Sequence, residues 1–171
     1  QVFFNAQITD YPQEASLGRY HYVEVIYEDD AMLVTNKPAF IDYDTFVEQV
    51  NAYLRRVKGK GFHPYLGQMH RLDKETSGLL LFTKKKAANV LSDQFRERTI
   101  RKTYFAIVCG QLDDEHGVIK KRIEKIDFED GKKVRIADGN RGQSSHTEYW
   151  VLERYDHATF AKVFLKTGRT H

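Results

Sequence analysis

The stretch HRLDKETSGLLLFT, residues 70–83, joins a densely polar segment to a continuous apolar run. The run at 79–83 predicts a buried β-strand, because its length is that of a strand and a turn-forming glycine, Gly78, precedes it. A polar loop that leads into such a strand holds its side chains at the rim of a rigid sheet, where binding and catalytic residues are common. We therefore expect residues 70–78 to form a functional loop.

Asp73 is flanked in this loop by Arg71 and Lys74. A neighbouring cation would keep the Asp73 carboxylate ionised and available as a nucleophile or base. From the residues alone, the alternative interpretation, a capping aspartate in a charged loop, is slightly favoured.

The chain before this loop predicts two strands and a helix. Strands are indicated at 22–27 and 32–36, the second ended by Lys37-Pro38 because proline cannot continue a ladder; we interpret this pair as a structural turn. Residues 45–58 predict a helix with Thr45 as its N-cap and one apolar face, formed by Phe46, Val50, Tyr53, Leu54 and Val57.

The chain after the loop is rich in strand signals. A second helix is predicted at about 85–98, then a strand at 104–108 and, within the charged stretch 113–143, hairpin arms at 118–126 and 132–136. Paired strands are predicted at 147–155 and 159–166. This order lacks a βαβ rhythm, so we expect an α+β fold with a mixed, largely antiparallel sheet and flanking helices.

Composition sets broad limits on the protein. The 171 residues suit one domain, with 1–20 as an N-terminal arm or connector and 21–171 as the folded part. A net charge of +3 permits a polyanionic partner without requiring one. The single cysteine, Cys109, lies in an apolar run and is expected to be buried. No apolar stretch is long enough for a membrane span and no signal peptide shows, so we expect a cytoplasmic protein without a membrane partner.

Four segments, in order, resemble the RNA pseudouridine synthases of the large family that acts on bacterial ribosomal and transfer RNA. Residues 70–80 conform to the motif His-Arg-Leu-Asp-x-x-Thr-Ser-Gly-Leu-Leu of that family. Residues 27–39 are similar to its entry strand and Lys-Pro turn, 102–110 to its Lys-x-Tyr-x-Ala-x-Val-x-Gly strand, and 165–171 to the start of its last motif. The resemblance implies the pseudouridine synthase fold and the isomerisation of uridines in ribosomal or transfer RNA.

The resemblance also implies roles for three residues. Asp73 matches the essential aspartate, Tyr104 the tyrosine that lies against the target base and removes its C5 proton, and Arg71 an arginine that enters the RNA stack to displace the uridine. Displacement is a physical necessity, because the glycosidic bond must break and the ring must rotate before the new bond forms. Tyr104 could instead be a core tyrosine, and Arg71 only a salt-bridge partner of Asp73.

RNA is thus the expected partner, and scattered cations are candidates for phosphate contacts: Lys84, Lys85, Lys86, Arg101 and Lys102. The three consecutive lysines open the second helix, where the helix dipole disfavours cations, so phosphate contact is as reasonable there as a solvated surface. We expect no cofactor and no metal, since no glycine-rich phosphate loop appears and the histidines lack metal-ligand spacing. The sequence indicates no particular oligomeric state.

The chain also departs from the family pattern. The family continues after His171 with Gln-Ile-Arg, whose arginine pairs with the catalytic aspartate, so we expect the catalytic domain at 21–171 to be incomplete at its C-terminus. The segment 39–44 is short where the family has a longer glycine-rich loop. Two alternatives stay open: a non-catalytic RNA-binding or ribosome-assembly factor on the same fold, and a base-excising glycosidase, which would need a second acid and a positioned water.

Overall fold

The computed structural model describes residues 23–59, 61–84, 88–128 and 131–167. Among these residues the chain divides into two compact units, an N-terminal unit of residues 23–97 and a C-terminal unit of residues 98–167. The predicted arm at 1–20 lies outside the described residues, and the single catalytic domain over 21–171 stays a prediction.

The N-terminal unit contains a four-stranded antiparallel sheet and two helices. Its strands are β1 (Glu24–Glu28), β2 (Met32–Lys37), β3 (Gly67–Gln68) and β4 (Gly78–Thr83), in the order β1-β2-β4-β3. Helix α1 (Tyr43–Lys58) lies between β2 and β3 in the chain, and α2 (Ala88–Arg96) follows β4. The predicted strand at 79–83 is therefore confirmed, and it pairs with both β2 and β3.

Apolar periodicity explains the core of this unit. Side chains of β2 alternate in burial, with Leu33, Thr35 and Lys37 fully buried, as expected for a strand that covers a core on one face. Leu80 and Phe82 of β4 are equally buried. Helix α1 contributes Phe46, Val50 and Leu54 at a spacing of four residues, which places them on one face.

Helix boundaries differ from the sequence prediction. Helix α1 begins at Tyr43 with Asp42 as the N-cap residue, whose side chain makes no capping hydrogen bond, so the prediction of Thr45 as N-cap is wrong. Val57, predicted to face inward, is 54% exposed because the buried stripe ends a turn before the helix does. Helix α2 ends at Arg96, since Arg98 adopts a left-handed backbone conformation with φ of 59°.

The C-terminal unit is a five-stranded antiparallel sheet. Its strands are β5 (Thr103–Cys109), β6 (His116–Phe128), β7 (Gly131–Ile136), β8 (Gln143–Tyr155) and β9 (Ala158–Leu165). They lie in the order β5-β9-β8-β6-β7, so β8 and β9 form the centre of the sheet. The predicted turn of the β6–β7 hairpin includes residues 129 and 130, which lie outside the described residues.

Strand β8 begins four residues earlier than predicted. Residues 143–146 are polar and carry no strand signal of their own, yet they pair with residues 120–123 of β6. Because the ladder of backbone hydrogen bonds does not depend on side-chain polarity, a long partner strand extends β8 beyond its apolar part.

The α+β class is confirmed, and every strand pair among the described residues is antiparallel. Within that part of the chain, the strands are divided between two sheets, one in each unit. Cys109 is exposed at the end of β5, so the prediction that it is buried is wrong: it lies on the exposed face of the strand, with Phe105 and Ile107. No helix within the described ranges is long and apolar enough to cross a membrane.

Candidate functional site

Asp73 lies in the connection between β3 and β4, with its side chain exposed to solvent. The Thr76 amide donates to the Asp73 carbonyl at 3.1 Å and closes a tight turn over residues 73–76. Leu72 is buried, whereas Arg71 and Asp73 on either side of it are exposed. The apolar residue thus anchors the loop while its two neighbours present a guanidinium and a carboxylate to solvent.

A buried lysine, Lys37, forms a hydrogen bond to the backbone of the Asp73 loop. Lys37, at the end of β2, is fully buried, and its Nζ donates to the carbonyls of Pro38 (2.9 Å), Ile41 (2.9 Å) and Lys74 (3.2 Å). Burial lowers the pKa of Lys37, and the carboxylates of Glu75, Asp42 and Asp73 oppose that shift. The three carbonyls use the full donor capacity of an ammonium group, so Lys37 ties the Lys-Pro turn to the residue that follows Asp73.

His70 fixes the start of the loop. Its Nε2 accepts a hydrogen bond from the Leu81 amide at 3.1 Å, so this nitrogen carries no proton. Its ring stacks on Phe95 of α2 with a centroid distance of 5.3 Å and an interplanar angle of 15°. Strand β4 and helix α2 therefore both hold His70, and the loop is anchored at residues 70, 72 and 74.

Arg71 lies over an aromatic ring. Its Cζ is 4.9 Å from the centroid of Tyr43, which is only 4% exposed. Burial raises the pKa of Tyr43, and its hydroxyl has no hydrogen-bond partner among the described residues. The contact between Tyr43 and Arg71 is a cation–π contact with the face of the ring. Sequence reasoning missed Tyr43, because its position at the start of α1 carries no signal of a contact with residue 71.

Lys74, the second cation beside Asp73 in the sequence, also has a different partner. Lys74 forms an ion pair with Asp42 at 3.7 Å. Within the described part of the chain, neither Arg71 nor Lys74 forms an ion pair with Asp73, and the idea that a neighbouring cation keeps its carboxylate ionised stays a prediction.

Tyr104 lies in the C-terminal unit, whereas Asp73 and Arg71 both lie in the N-terminal unit. It is half-buried in β5, opposite Val163 of β9. The antiparallel register places Tyr149 of β8 on the other side of Val163, so both tyrosines project from the same face of this sheet.

Two predicted phosphate contacts precede β5. Arg101 is exposed, with its guanidinium 5.5 Å from the centroid of Phe164. Lys102 is half-buried, and burial together with the charge of Arg98 lowers its pKa. A phosphate near Lys102 would favour its charged form and oppose this shift.

The lysine run after β4 is only partly described. Lys84 pairs with Glu28 at 2.8 Å and donates to the Asp29 carbonyl as well. These contacts favour a structural role for Lys84, and a contact with phosphate stays a prediction. Lys85 and Lys86 lie outside the described residues. Within the described ranges, no group of three or more His, Cys, Asp or Glu side chains could hold a metal ion.

Comparison with known proteins identifies the family. The RNA pseudouridylate synthase family matches residues 31–171. The chain belongs to this family. The match includes the anchored loop, Tyr104 and all the candidate phosphate-contact residues.

Curated relatives of this chain carry the name ribosomal large subunit pseudouridine synthase C. The protein of Haemophilus ducreyi is 35% identical over an alignment of 155 residues that covers 86% of this chain and 46% of the relative. That of Pasteurella multocida is 36% identical over 153 residues, with the same shares. The chain thus spans about half the length of the curated relatives it matches.

Solved structures of the family share the fold. Human RNA pseudouridylate synthase domain containing 1 has a TM-score of 0.70 and 25% sequence identity, over 88% of this chain and 62% of the human chain. Human RNA pseudouridylate synthase domain containing 4 has the same TM-score at 24% identity, over 86% and 60% of the two chains.

Replacing Lys37 by methionine should lower the stability of the protein. Methionine fills a similar volume but leaves the half-buried carbonyls of Pro38 and Ile41 without the donor that Lys37 supplies, and the loss of a partner costs about 1–3 kcal/mol for a buried polar group. We expect the midpoint of urea unfolding to fall accordingly. Lys58→Met is the matched control, because Lys58 is 48% exposed and the same substitution there should change the midpoint little. Equal midpoints for Lys37→Met and the unsubstituted protein would show that the three hydrogen bonds do not stabilise the fold.

Proposed function

We propose that the protein isomerises uridines in RNA to pseudouridine, with Asp73 as the catalytic carboxylate. The observation that carries the proposal is the exposed Asp73 on a loop anchored at residues 70, 72 and 74, in a chain of the RNA pseudouridylate synthase family. Anchoring matters because a catalytic group loses effect when it is displaced by even an ångström.

The reaction rearranges atoms without adding or removing any. The bond between N1 of uracil and C1′ breaks, the ring rotates, a bond from C5 to C1′ forms, and the proton on C5 is removed while N1 gains one. In this proposal Asp73 acts on C1′ or on the uracil ring, and Tyr104 lies against the base and takes the C5 proton. No step requires an oxidant, a reductant or a cofactor.

The substrate we propose is structured RNA, either ribosomal or transfer RNA. The relatives named above support ribosomal RNA, since their name refers to the large ribosomal subunit. Arg101 and Lys102 are proposed phosphate contacts. Arg101 is exposed, and a phosphate would stabilise the positive charge of Lys102, which burial disfavours. Cytoplasmic location is part of the same proposal.

The direct test is incubation of the protein with unmodified ribosomal and transfer RNA transcribed in vitro. Pseudouridine is then measured by mass spectrometry of the nucleosides, and its position by primer extension after carbodiimide treatment. Site-specific pseudouridine is the expected result. Tight RNA binding without product would support the non-catalytic alternative, and release of free uracil would support a glycosidase.

Arg71 gives a prediction that separates RNA binding from base displacement. If its guanidinium fills the space left by the displaced uridine, Arg71→Ala should retain RNA affinity within about tenfold, or roughly 1.4 kcal/mol. Base displacement should slow far more, because unstacking costs a few kcal/mol and loses its compensation. Arg71→Lys should recover little, since an ammonium lacks the planar group that stacks on bases and on Tyr43.

Fluorescence of 2-aminopurine beside the mapped uridine reports displacement, and filter binding reports affinity. Lys74→Ala is the matched control, because it removes a neighbouring exposed cation and should leave displacement rates nearly unchanged. If Arg71 served only as a cation near Asp73, lysine would substitute well. Normal displacement kinetics in Arg71→Ala would exclude the stacking role.

A further inference from the structure

Phe40 occupies an unfavourable position in the turn after β2. Its φ of 66° lies in the left-handed region, which it shares among the described non-glycine residues only with Arg98. That conformation is strained for a residue with a side chain, because its Cβ crowds the backbone. Phe40 is 58% exposed, so burial of its side chain does not offset the strain. Backbone strain that is not compensated by side-chain packing is typical of functional positions.

Hydrogen bonds tie this turn to the loop of Asp73. The Phe40 amide donates to the Lys74 carbonyl at 2.7 Å, and the same carbonyl accepts from Lys37 Nζ at 3.2 Å. Lys37 Nζ also bonds to Pro38 and Ile41, the residues on either side of the Phe40 turn. The strained phenylalanine is therefore held in a fixed place, one hydrogen bond away from the residue that follows Asp73.

We propose that Phe40 is a stacking platform for an unpaired RNA base next to the uridine that Asp73 acts on. This proposal rests on the proposed function. Displacement of the uridine removes a stacking partner from its neighbours, and an exposed aromatic ring replaces part of that interaction. Such contacts tolerate any base, because every base has a π-face.

The surroundings of Phe40 favour a nucleic acid over an apolar protein partner. A protein interface would need a contiguous apolar surface around the ring. Of the exposed residues of the loop tied to this turn, Arg71, Asp73, Lys74 and Glu75 are instead charged and Ser77 is polar, so none is apolar. The exposed ring and the two cations of the loop, Arg71 and Lys74, match the aromatic side chains and positive charges that bind single-stranded RNA.

The test uses opposite effects on stability and on RNA affinity. Phe40→Gly removes the ring and also relieves the strain, because glycine adopts positive φ without a steric cost. We expect its melting temperature to rise by about 2–4 °C. Its affinity for RNA should fall about tenfold, as expected for the loss of one stacked base. Phe40→Ala should lose the same affinity without the gain in stability, and Phe40→Trp should retain affinity.

Affinity is measured by filter binding with the full-length protein carrying Asp73→Asn, which prevents turnover, and with the RNA in which the active protein forms pseudouridine. Phe62→Ala is the matched control. Phe62 is a 40% exposed phenylalanine just beyond the far end of α1, whose 16 residues span about 24 Å. Its substitution should leave affinity unchanged.

Several outcomes would contradict the proposal that Phe40 is a stacking platform. Unchanged affinity in Phe40→Gly would show that no base stacks there, and an equal loss in Phe62→Ala would show that the effect is not specific to this position. A lower melting temperature in Phe40→Gly would show that the ring packs against another part of the protein. Each of these results leaves the proposed function standing if the protein forms pseudouridine. Absence of pseudouridine with the unsubstituted protein would overturn the function and the platform together.

Discussion

Asp73→Asn will abolish pseudouridine formation while RNA binding survives. Asparagine has almost the same size and shape as aspartate, so the anchored loop keeps its conformation, but the amide is neither a nucleophile nor a base. Loss of the group that begins the reaction should lower the single-turnover rate by at least about 10⁴-fold. RNA affinity should stay within about tenfold, because phosphate contacts supply most of it.

Glu75→Gln provides the matched control for Asp73→Asn. Glu75 is an exposed carboxylate two residues further along the same loop, and the substitution removes the same charge by the same isosteric change. We expect Glu75→Gln to retain activity. Comparison of the two variants then distinguishes the loss of a negative charge near bound RNA from the loss of a group that takes part in the reaction. Substantial pseudouridine formation by Asp73→Asn in a single-turnover assay would refute Asp73 as the catalytic residue.

Local pattern was sufficient to predict most secondary structure. The apolar run at 79–83 became β4, and the four-residue spacing of Phe46, Val50 and Leu54 became the buried face of α1. These predictions succeeded because the length of an apolar run and the spacing of apolar residues along a helix can both be read directly from the sequence. The start of β8 was missed for the opposite reason, since its polar residues are ordered by pairing with β6 and not by their own propensity.

Contacts between distant residues could not be predicted from the sequence in the same way. The role of Lys37 required knowledge that three carbonyls, one of them 37 residues away, converge on its ammonium group. Nothing in the sequence indicates that Arg71 lies over Tyr43, or that Phe40 adopts a left-handed backbone. Resemblance to a family located Asp73, but the anchors that fix its loop depend on tertiary structure.

The loop of Asp73 illustrates how stability and function are combined in the N-terminal unit. Its anchors are a buried leucine, a neutral histidine between β4 and α2, and a carbonyl bound by a buried lysine. The residues between the anchors, Arg71 and Asp73, are exposed. Rigid elements thus fix the backbone while the side chains of Arg71 and Asp73 stay accessible to the RNA substrate that we propose, and precise catalysis requires such a fixed backbone.

Tyr104→Phe should stop product formation much more than it weakens binding. The phenylalanine ring keeps the face that we propose lies against the base, but the hydroxyl proposed to take the C5 proton is gone. General acid–base groups contribute about 10²–10⁴-fold, so we expect the rate of C5 proton release to fall by that factor. RNA carrying uridine tritiated at C5 measures this step, because tritium enters water only when the C5 hydrogen is removed.

Tyr149→Phe is the matched control for this experiment. Tyr149 is also half-buried, projects from the same face of the sheet, and lies across Val163 from Tyr104. Its ring packs against Gly117, where an added Cβ would lie 2.4 Å from ring atoms of Tyr149, so a structural role is sufficient to explain it. If both variants released tritium at the unsubstituted rate, the Tyr104 hydroxyl would have no part in proton removal and only the stacking of its ring would remain. A slow Tyr104→Phe beside a normal Tyr149→Phe would instead locate the proton transfer at one hydroxyl, because the two substitutions remove the same group from the same surface.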